Sequence, residues 1–423
     1  MGQHDFHSPG ARQAFAALYG AAADVAPARW AALEARFHQT FGPGDTRLFS
    51  APGRTEIGGN HTDHNHGRVL AAAVSLDTIA VARPNDLGVI RLTSEGYDGQ
   101  FTADLRTLAP VAAERGTTTA LLRGVAGRMA ELGCTVGGFD AVVTSTVLKG
   151  SGLSSSAAFE VLVVTIMDGL YNGGRLSPEE RAQVSKVVEN VYFGKPSGLM
   201  DQMASSVGGL VTIDFADEAA PVVERVTFDF NDTDLAIVVT DTGGNHADLT
   251  HEYAAIPADM LSVAAAMGKE KLREVNEAAF YARVGELRRQ VGDRPLLRAM
   301  HFFAENDRVV GQAEALRHGD LNRFLALIAA SGDSSWRLLQ NVCVPGSGEQ
   351  NMTLALALGQ RVLGGQGACR VHGGGFAGTT LAFVPQALLS TYVDTLEQVF
   401  GAGACTVLSI RQTGATELSL KED

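Results

Sequence analysis

A glycine- and serine-rich segment carries the residue types that bind phosphate. It reads KGSGLSSSAA from Lys149 to Ala158 and lies between a predicted strand and an apolar helix. Glycines let backbone N–H groups approach an anion, and serines cap a helix whose N-terminus favours negative charge. The segment is not a Walker A loop, and Ser155 occupies the third glycine position of a G-x-G-x-x-G fingerprint. We predict a phosphate site here, with an ordinary serine-capped helix as the alternative.

A second polar segment has the composition of a loop that binds a polyhydroxylated ligand. It runs from Ala51 to Gly67, reads APGRTEIGGNHTDHNHG, and is dense in side-chain donors and acceptors. A metal site at His61, Asp63, His64 and His66 is a rival interpretation, although such short spacings suit one tetrahedral ion poorly. A polar surface turn is a third, and it is disfavoured because a buried arginine and aspartate between apolar strands are costly.

A third segment interrupts two strand-like runs with glycine. It reads RVHGGGFAGTT from Arg370 to Thr380 and contains the consecutive glycines Gly373, Gly374 and Gly375. Three glycines in a row weaken a strand unless a ligand or another backbone comes close. We therefore predict close approach at this segment, with a glycine bulge in an edge strand as the alternative.

In this order and spacing, the three segments resemble the three signatures of the GHMP small-molecule kinases, most closely those that phosphorylate galactose. The first family motif reads roughly G-R-x-N-x-I-G-E-H-T-D-Y-N-x-G, the second G-L-S-S-S-A-A, and the third T-G-G-G-F-G-G. The resemblance covers nearly the whole chain, and GLMDQ at residues 198–202 adds to it. Each motif is weak alone, whereas three in order are specific.

The resemblance implies an α+β fold of two lobes with the site in the cleft between them. Residues 1–215 would form a sugar- and ATP-binding lobe similar to domain 2 of ribosomal protein S5, and 216–423 a ferredoxin-like lobe. It also implies transfer of the ATP γ-phosphoryl group, with Mg²⁺, to the C1 hydroxyl of galactose. A kinase for another galacto-configured sugar such as galacturonate and a non-catalytic sugar sensor stay open, and a mevalonate or homoserine kinase ranks lower.

Roles follow from motif position. The resemblance makes Asp201 the base that accepts the proton of the sugar hydroxyl, and Arg54 the group that keeps it ionised. Its sugar-binding positions are Asn60, His61, Asp63, Gly198 and Tyr253. Its phosphate-binding positions are Lys149, Gly150, Ser151, Gly152, Leu153, Ser154, Ser155, Ser156 and Ala157, with Gly373, Gly374 and Gly375 of the third motif. Its magnesium ligands are Ser156 and Glu189, both oxygen donors.

Two of these roles have plain alternatives. Glu189 would otherwise be a solvated helix carboxylate, and Tyr253 a core residue. Because Arg54, Asp201, Glu189 and the Ser156-Ala157 pair are all present, an enzyme is favoured over a silent sensor.

Some positions depart from the family pattern. Asn60 stands where the family has a glutamate that reaches the C6 hydroxyl, and Thr55-Glu56 replaces the usual apolar–asparagine pair. Loss of the charge at position 60 would remove repulsion against a carboxylate on C6, which keeps galacturonate open as a substrate. The further departures are His64, His372 and Ala377.

Composition limits the class of protein. The chain has 423 residues and a net charge of −13 from 34 basic and 47 acidic residues, which argues against binding of the nucleic-acid backbone. The four cysteines are far apart, no signal-peptide pattern opens the chain, and no apolar run reaches the length of a membrane span. We expect a cytoplasmic monomer that binds a small sugar and ATP.

The elements that must position these motifs mix strands and helices without a regular βαβ repeat, which favours α+β. Strands are predicted at residues 47–50, 69–83, 89–92, 139–146, 209–214, 222–230, 235–241 and 379–384. Helices are predicted within 11–41 (two, separated near Pro27), at 119–132, after the phosphate loop to residue 170, and at 178–193, 251–266, 269–275, 300–317, 320–331, 350–363 and 386–399.

Overall fold

The α+β class predicted from the sequence is confirmed. The computed structural model describes residues 4–147, 152–195, 197–243 and 249–420. The strands are β1 Arg47–Gly58, β2 Arg68–Pro84, β3 Val89–Ser94, β4 Phe101–Asp104, β5 Phe139–Ser145, β6 Leu210–Asp214, β7 Val222–Val226, β8 Leu235–Asp241, β9 Ala368–His372, β10 Thr379–Pro385, β11 Cys405–Leu408 and β12 Thr416–Leu418.

Helices pack around these strands. They are α1 Pro9–Tyr19, α2 Ala26–Phe41, α3 Thr118–Glu131, α4 Ser155–Asn172, α5 Pro178–Val187, α6 Met200–Val207, α7 Thr250–Ala266, α8 Glu277–Ala282, α9 Val284–Val291, α10 Asp293–Arg317, α11 Leu321–Ser334, α12 Asn351–Leu363 and α13 Leu389–Phe400. Wider π-type turns, Val188–Phe193 and Ser335–Leu339, continue α5 and α11. In the described ranges, no helix combines the length and apolar character needed to cross a membrane.

The first sheet places β1 between the edge strand β12 and the central strand β2. Its strand order is β12-β1-β2-β5-β3-β4, and β6 and β7 extend it from the other end of β2. Register shifts on β1 flank residues 54–56, which pair with the small residues Ala71, Ala72 and Ala73 of β2. Irregularities of this kind re-aim side chains. Here they set the direction of three residues of the second polar segment, Ala51 to Gly67, which is the sugar loop.

The second sheet has the order β11-β8-β10-β9 and carries α12 and α13 on one face. With its intervening helices it follows the β-α-β-β-α-β sequence of ferredoxin-like units. Alternate residues of β8 face opposite sides: Val238 packs with α12 and α13, whereas Val239 joins a core that includes Leu70 of β2. That shared core holds the two sheets together.

The predicted boundary near residue 215 stays a prediction. Strand β7 lies beyond it and pairs with β6, and β12 returns from the C-terminal end to pair with β1. The first sheet therefore draws two strands from beyond residue 215.

Most predicted elements match the structure, with clear exceptions. The helix predicted at 269–275 is wrong, because Lys271 is extended and only Leu272–Glu274 form a short 3₁₀ turn that buries Leu272. The helix predicted at 300–317 begins seven residues earlier, as α10 Asp293–Arg317. The short elements β4, β11, β12, α6, α8 and α9 were not predicted from the sequence.

Candidate active site

An arginine–aspartate pair joins the first sheet to helix α6 and to the phosphate loop. Arg54 points from β1, and its Nε donates to Oδ1 of Asp201, in the first turn of α6, at 2.7 Å. Its Nη1 donates to the carbonyl oxygen of Gly152, and its backbone N–H donates to the carbonyl oxygen of Leu153 at 3.0 Å. The arginine thus fixes the loop and the carboxylate relative to each other.

A serine completes the environment of Asp201. Ser154, which precedes α4 with a left-handed φ of 58°, donates from Oγ to Oδ2 of Asp201 at 2.5 Å. Burial alone would raise the pKa of Asp201, but the charge and hydrogen bond of Arg54, followed by the Ser154 bond, hold it below the usual value of 3.8. The carboxylate is therefore ionised at neutral pH.

A small cavity opens beside this pair and brings most of the predicted sugar-binding residues together. Its volume is about 180 Å³. It is lined by Arg54, Glu56, Asn60, His61, Asp63, His64, Ser197, Gly198, Met200, Asp201, Gly373 and Gly374. Three carboxylates and one guanidinium in so small a space suit a compact, polar ligand.

The triple glycine of the third motif holds the sugar loop. Nε2 of His61 donates to the carbonyl oxygen of Gly374 at 2.9 Å, and Nδ2 of Asn60 donates to that of Gly373 at 2.6 Å. Burial lowers the pKa of His61 to about 4, so its ring is neutral with the proton on Nε2. The glycine carbonyls therefore bind the first motif directly.

Asn60 is bonded to the protein on every side. Its Oδ1 accepts from Nδ2 of Asn341 at 2.8 Å and from Oγ of Ser335 at 3.4 Å, and its carbonyl oxygen accepts from Nε2 of His301 at 2.9 Å. It is fully buried. A sugar contact by Asn60 stays a prediction. Its hydrogen bonds already connect the sugar loop to α10 and to the turn that continues α11.

Glu305 of α10 anchors the backbone of the same loop. Its Oε1 accepts from the N–H of Gly59 at 3.0 Å and from Oγ of Ser331 at 2.6 Å, while its Oε2 accepts from Nε of Arg308 at 2.7 Å. Burial would raise its pKa, but the charge of Arg308 and of its other neighbours lowers it to about 2. Glu305 and His301 were not predicted from the sequence; their i, i+4 spacing on one helix face was the available signal.

Gly198 gives Asp63 its place at the pocket. A Cβ at position 198 would lie 2.5 Å from Oδ2 of Asp63, so any larger residue would displace the carboxylate. Asp63 begins a short 3₁₀ turn, with Oδ1 at 3.7 Å from Nε2 of His64.

Tyr253 lies next to this pocket rather than within its lining. Its hydroxyl donates to the carbonyl oxygen of Gly375 at 3.0 Å, and its ring packs edge-on against Phe376. Together with Lys195 and Lys271 it lines a second cavity of about 800 Å³, which shares Asp63 and Gly198 with the small one. A sugar contact by Tyr253 therefore stays a prediction.

The phosphate loop opens onto another cavity of about 800 Å³. Ser155 and Ser156, at the start of α4, line it together with aromatic walls that include Tyr97, Phe101 and Phe159. Leu153 and Ala157 are buried beneath. Of the predicted loop residues, Lys149, Gly150 and Ser151 lie outside the described residues.

Glu189 belongs to a buried cluster of oxygen donors. Its Oε1 accepts from Nζ of Lys195 and its Oε2 from Nε2 of Gln202, both at 2.8 Å. The same Gln202 amide lies 3.3 Å from Oε2 of Glu160, whose pKa is raised well above the usual value by burial and then by the charge of Glu189. Oε1 of Gln202 is buried with no hydrogen-bond partner in the described ranges.

The side-chain donors of this cluster can be compared with the ligands that magnesium, predicted here, prefers. No group of three or more His, Cys, Asp or Glu residues that could hold a metal occurs in the part of the chain that the structure describes. Magnesium, however, binds through one or two carboxylates, waters and substrate phosphates, and it prefers oxygen. The carboxylate of Glu189, the unpartnered oxygen of Gln202 and the exposed hydroxyl of Ser156 fit that preference.

Two departures from the family pattern contact each other at the sheet junction. Nε2 of His372 lies 3.1 Å from Oγ1 of Thr55, and its Nδ1 lies 3.0 Å from Oγ1 of Thr379. Burial, with the charges of Arg54 and Arg370, lowers the pKa of His372 to about 3, so the ring is neutral. It adds bulk at this junction but no charge.

Comparisons with known proteins agree with this fold. The family description "GHMP kinases N terminal domain" matches residues 120–209. Mevalonate kinase from Methanococcus jannaschii has the same fold, with a TM-score of 0.62 at 13% identity, covering 87% of this chain and 99% of that one. The fold and the Arg54–Asp201 pair beside the phosphate loop define a GHMP-type small-molecule kinase.

More specific matches narrow the class. The "Galactokinase galactose-binding signature" matches residues 35–84. The chain is 31% identical over 367 residues to a galactokinase from Streptomyces coelicolor, covering 87% of this chain and 92% of that protein. The crystal structure of Lactococcus lactis galactokinase complexed with galactose superposes with a TM-score of 0.79 at 25% identity, covering 92% and 99%. The chain belongs to the galactokinase family, which confirms the resemblance.

Proposed function

We propose that the protein transfers the γ-phosphoryl group of ATP to the C1 hydroxyl of galactose and forms galactose 1-phosphate. The observation that carries this proposal is the position of Asp201. Its ionised carboxylate lines a cavity of about 180 Å³ while Arg54 and Ser154 tie it to the phosphate loop. The galactokinase matches support galactose as the sugar.

The chemistry divides among few residues. The C1 oxygen bonds to the γ-phosphorus while the bond from that phosphorus to the β–γ bridging oxygen breaks, and Asp201 accepts the hydroxyl proton. Arg54 stabilises the transferring group and keeps Asp201 ionised, and it is preorganised by its bonds to Asp201 and Gly152. Such a transfer depends on positioning and charge more than on covalent catalysis.

The nucleotide would occupy the cavity beside α4. Its phosphates would lie at the helix N-terminus, where Ser155 and Ser156 are exposed to them and the dipole favours anions. Glu189 and Ser156 would hold magnesium, which when bound supplies positive charge to the phosphate oxygens. Lys195 is the ion-pair partner of Glu189, and its side chain is 58% exposed.

Setting and oligomeric state follow as proposals. All four cysteines are unpaired, which suits a reducing compartment, and we propose a cytoplasmic enzyme. We propose that it acts as a monomer.

The test is ADP release with a panel of sugars at saturating Mg–ATP, with the product identified by phosphorus NMR. We expect galactose to exceed glucose, galacturonate and mevalonate in kcat/KM by at least tenfold, and the product to be the 1-phosphate. Galacturonate turnover tenfold above that of galactose would overturn the assignment of galactose as the substrate. Sugar binding without ADP release would favour a silent sensor.

A further inference from the structure

An acidic residue and an amide residue have exchanged places in the sugar-loop motif. The family pattern has asparagine at the position of Glu56 and glutamate at the position of Asn60. In this structure the two side chains contact each other, since Nδ2 of Asn60 donates to Oε1 of Glu56 at 3.0 Å. The chain therefore still has one carboxylate and one amide at these two positions, but in the reverse order.

The strand places Glu56 at a defined distance from the reacting end of the cavity. Arg54 and Glu56 pair without interruption with Ala73 and Ala71 of β2, so they lie on the same face of β1. Two residues along a strand span about 6.6 Å, roughly the length of a hexose with its substituents. If C1 of a sugar lies at Asp201, which Arg54 holds, Glu56 would lie near the opposite end of that sugar.

Only one oxygen of Glu56 is used by the protein. Oε1 accepts from both Asn60 and Nη2 of Arg370, the latter at 2.8 Å. Oε2 accepts no hydrogen bond from the ranges that the structure describes, and Glu56 lines the cavity of about 180 Å³. Arg370 is fully buried, and Glu56 is its ion-pair partner, so the carboxylate serves as its counter-ion.

We propose that Glu56 is the sugar-selecting carboxylate: its Oε2 accepts a hydrogen bond from a hydroxyl on C4 or C6, at the end of the hexose remote from C1. It therefore selects neutral hexoses that carry this hydroxyl and repels uronic acids. Asn60 is then a positioning residue that fixes Glu56 rather than a sugar ligand. This inference rests on the proposed function, which places C1 at Asp201.

The sequence left galacturonate open as a substrate because Asn60 is uncharged, and Glu56 reverses that expectation. Asparagine at position 60 removes a charge from that position, but Glu56 retains a carboxylate in the same cavity, together with Asp63 and Asp201. A carboxylate on C6 would meet like charge at close range, which is unfavourable in a poorly solvated site.

The test measures selectivity in Glu56→Gln and Glu56→Asp. Glutamine keeps the shape and removes the charge, whereas aspartate keeps a counter-ion for Arg370 and withdraws the oxygen from the cavity. For each enzyme, kcat/KM and calorimetric Kd are measured with galactose, 4-deoxygalactose, 6-deoxygalactose and galacturonate. The matched control is Glu417→Gln, which removes another strand glutamate that binds an arginine, Arg47, away from the cavity.

We expect the wild type to prefer galactose over at least one deoxy sugar by tenfold or more, because a buried charged acceptor left unpaired is costly. Both Glu56 variants should lower the ratio of kcat/KM for galactose to that for the deoxy sugar at least fivefold. Glu56→Gln should also raise kcat/KM for galacturonate tenfold. The control should match the wild type in both measurements. Equal loss for galactose and both deoxy sugars would mean a purely structural role and overturn the inference. If Glu56→Gln fails to fold, wild-type selectivity in Glu56→Asp overturns it. A wild type that neither binds nor phosphorylates galactose would overturn the proposed function as well.

Discussion

The two ends of the small cavity each present a carboxylate held by an arginine, but they are built for different tasks. At one end Asp201 uses both oxygens, with Arg54 at 2.7 Å and Ser154 at 2.5 Å. At the other end Glu56 uses one oxygen, which binds Arg370 and Asn60. The arginine and the serine lower the pKa of Asp201, whereas burial raises that of Glu56.

The partners of the two carboxylates also come from different parts of the fold. Asp201 is tied to Ser154 and Gly152 of the phosphate loop through direct and arginine-mediated bonds. Glu56 is tied to Arg370 of β9 in the second sheet. A substitution at the Asp201 end should therefore slow the chemical step for every sugar. A substitution at the Glu56 end should change which sugar is accepted.

Replacing Asp201 by Asn should have the largest effect. The amide still accepts from Arg54 but takes no proton, so we expect kcat to fall by about 10²–10⁴-fold for every accepted sugar. The melting temperature should stay within a few degrees of the wild type. Steady-state kinetics and calorimetry measure both.

The control for this variant is Asp394→Asn on the exposed face of α13, which should match the wild type. Near-full activity of Asp201→Asn would refute the role of the base. A loss confined to one sugar would refute the division between the two ends.

Ser154→Gly should lower kcat less than Asp201→Asn does. Glycine tolerates the left-handed φ of 58°, so the substitution removes the hydroxyl without backbone strain. A hydrogen bond to a charged group contributes about 1.5–3 kcal/mol, so we expect kcat to fall about tenfold or more. The acid limb of kcat should also move to higher pH, because Asp201 loses a bond that stabilises its charged form.

A double-mutant cycle provides the check. If Ser154 acts through Asp201, adding Ser154→Gly to Asp201→Asn should reduce kcat little further. Fully additive losses would show that the serine acts elsewhere, and an altered ratio of galactose to its deoxy analogues would place it at the selecting end.

Sequence patterns could predict the residues of the cavity but not their supports. The resemblance to the family motifs pointed to Arg54, His61, Asp63, Gly198 and Asp201, and all five line the cavity. Each lies within a short segment whose residue types carry its chemistry, so no long-range packing was needed to find them.

The supports depend on tertiary packing that a single sequence does not display. His301 and Glu305 reach the sugar loop from α10, more than 240 residues further along the chain. Asn60 shows the same limit, because the resemblance implied a sugar contact for it while its bonds to Asn341 and Ser335 tie it to the protein. What a polar residue contacts depends on which distant helix packs against it.

The departures from the family pattern also become intelligible only in three dimensions. Thr55 contacts His372, and Glu56 contacts Asn60, so positions that look like independent substitutions form two bonded pairs. A paired change keeps the hydrogen-bonding groups satisfied where a single change would leave one unpaired.

The pH profile of kcat/KM should separate the two carboxylates. Asp201 has a lowered pKa and stays ionised until the pH falls below 3.8, whereas Glu56 has a raised pKa and loses its charge at a pH above 4.5. Sugar capture by the wild type should therefore weaken first through Glu56 as the pH falls. In Glu56→Gln the acid limb of kcat/KM for galactose should move to lower pH, because that titration is gone. An unmoved limb would mean that Glu56 does not influence capture.

The smallest effect should come from His372 of β9, whose ring bonds to Thr55 of β1. The unfolded chain takes up a proton at this residue below pH 6.5, whereas the folded protein does not until about pH 3. Stability should therefore fall as the pH drops through this window, by about 1.4 kcal/mol per unit for each such histidine. Both His372→Thr and His372→Gln should remove that share of the slope in urea unfolding between pH 6 and 4, whatever their stability at pH 7. An unchanged slope in both variants would mean that His372 is not held neutral and that its contact with Thr55 carries a charge.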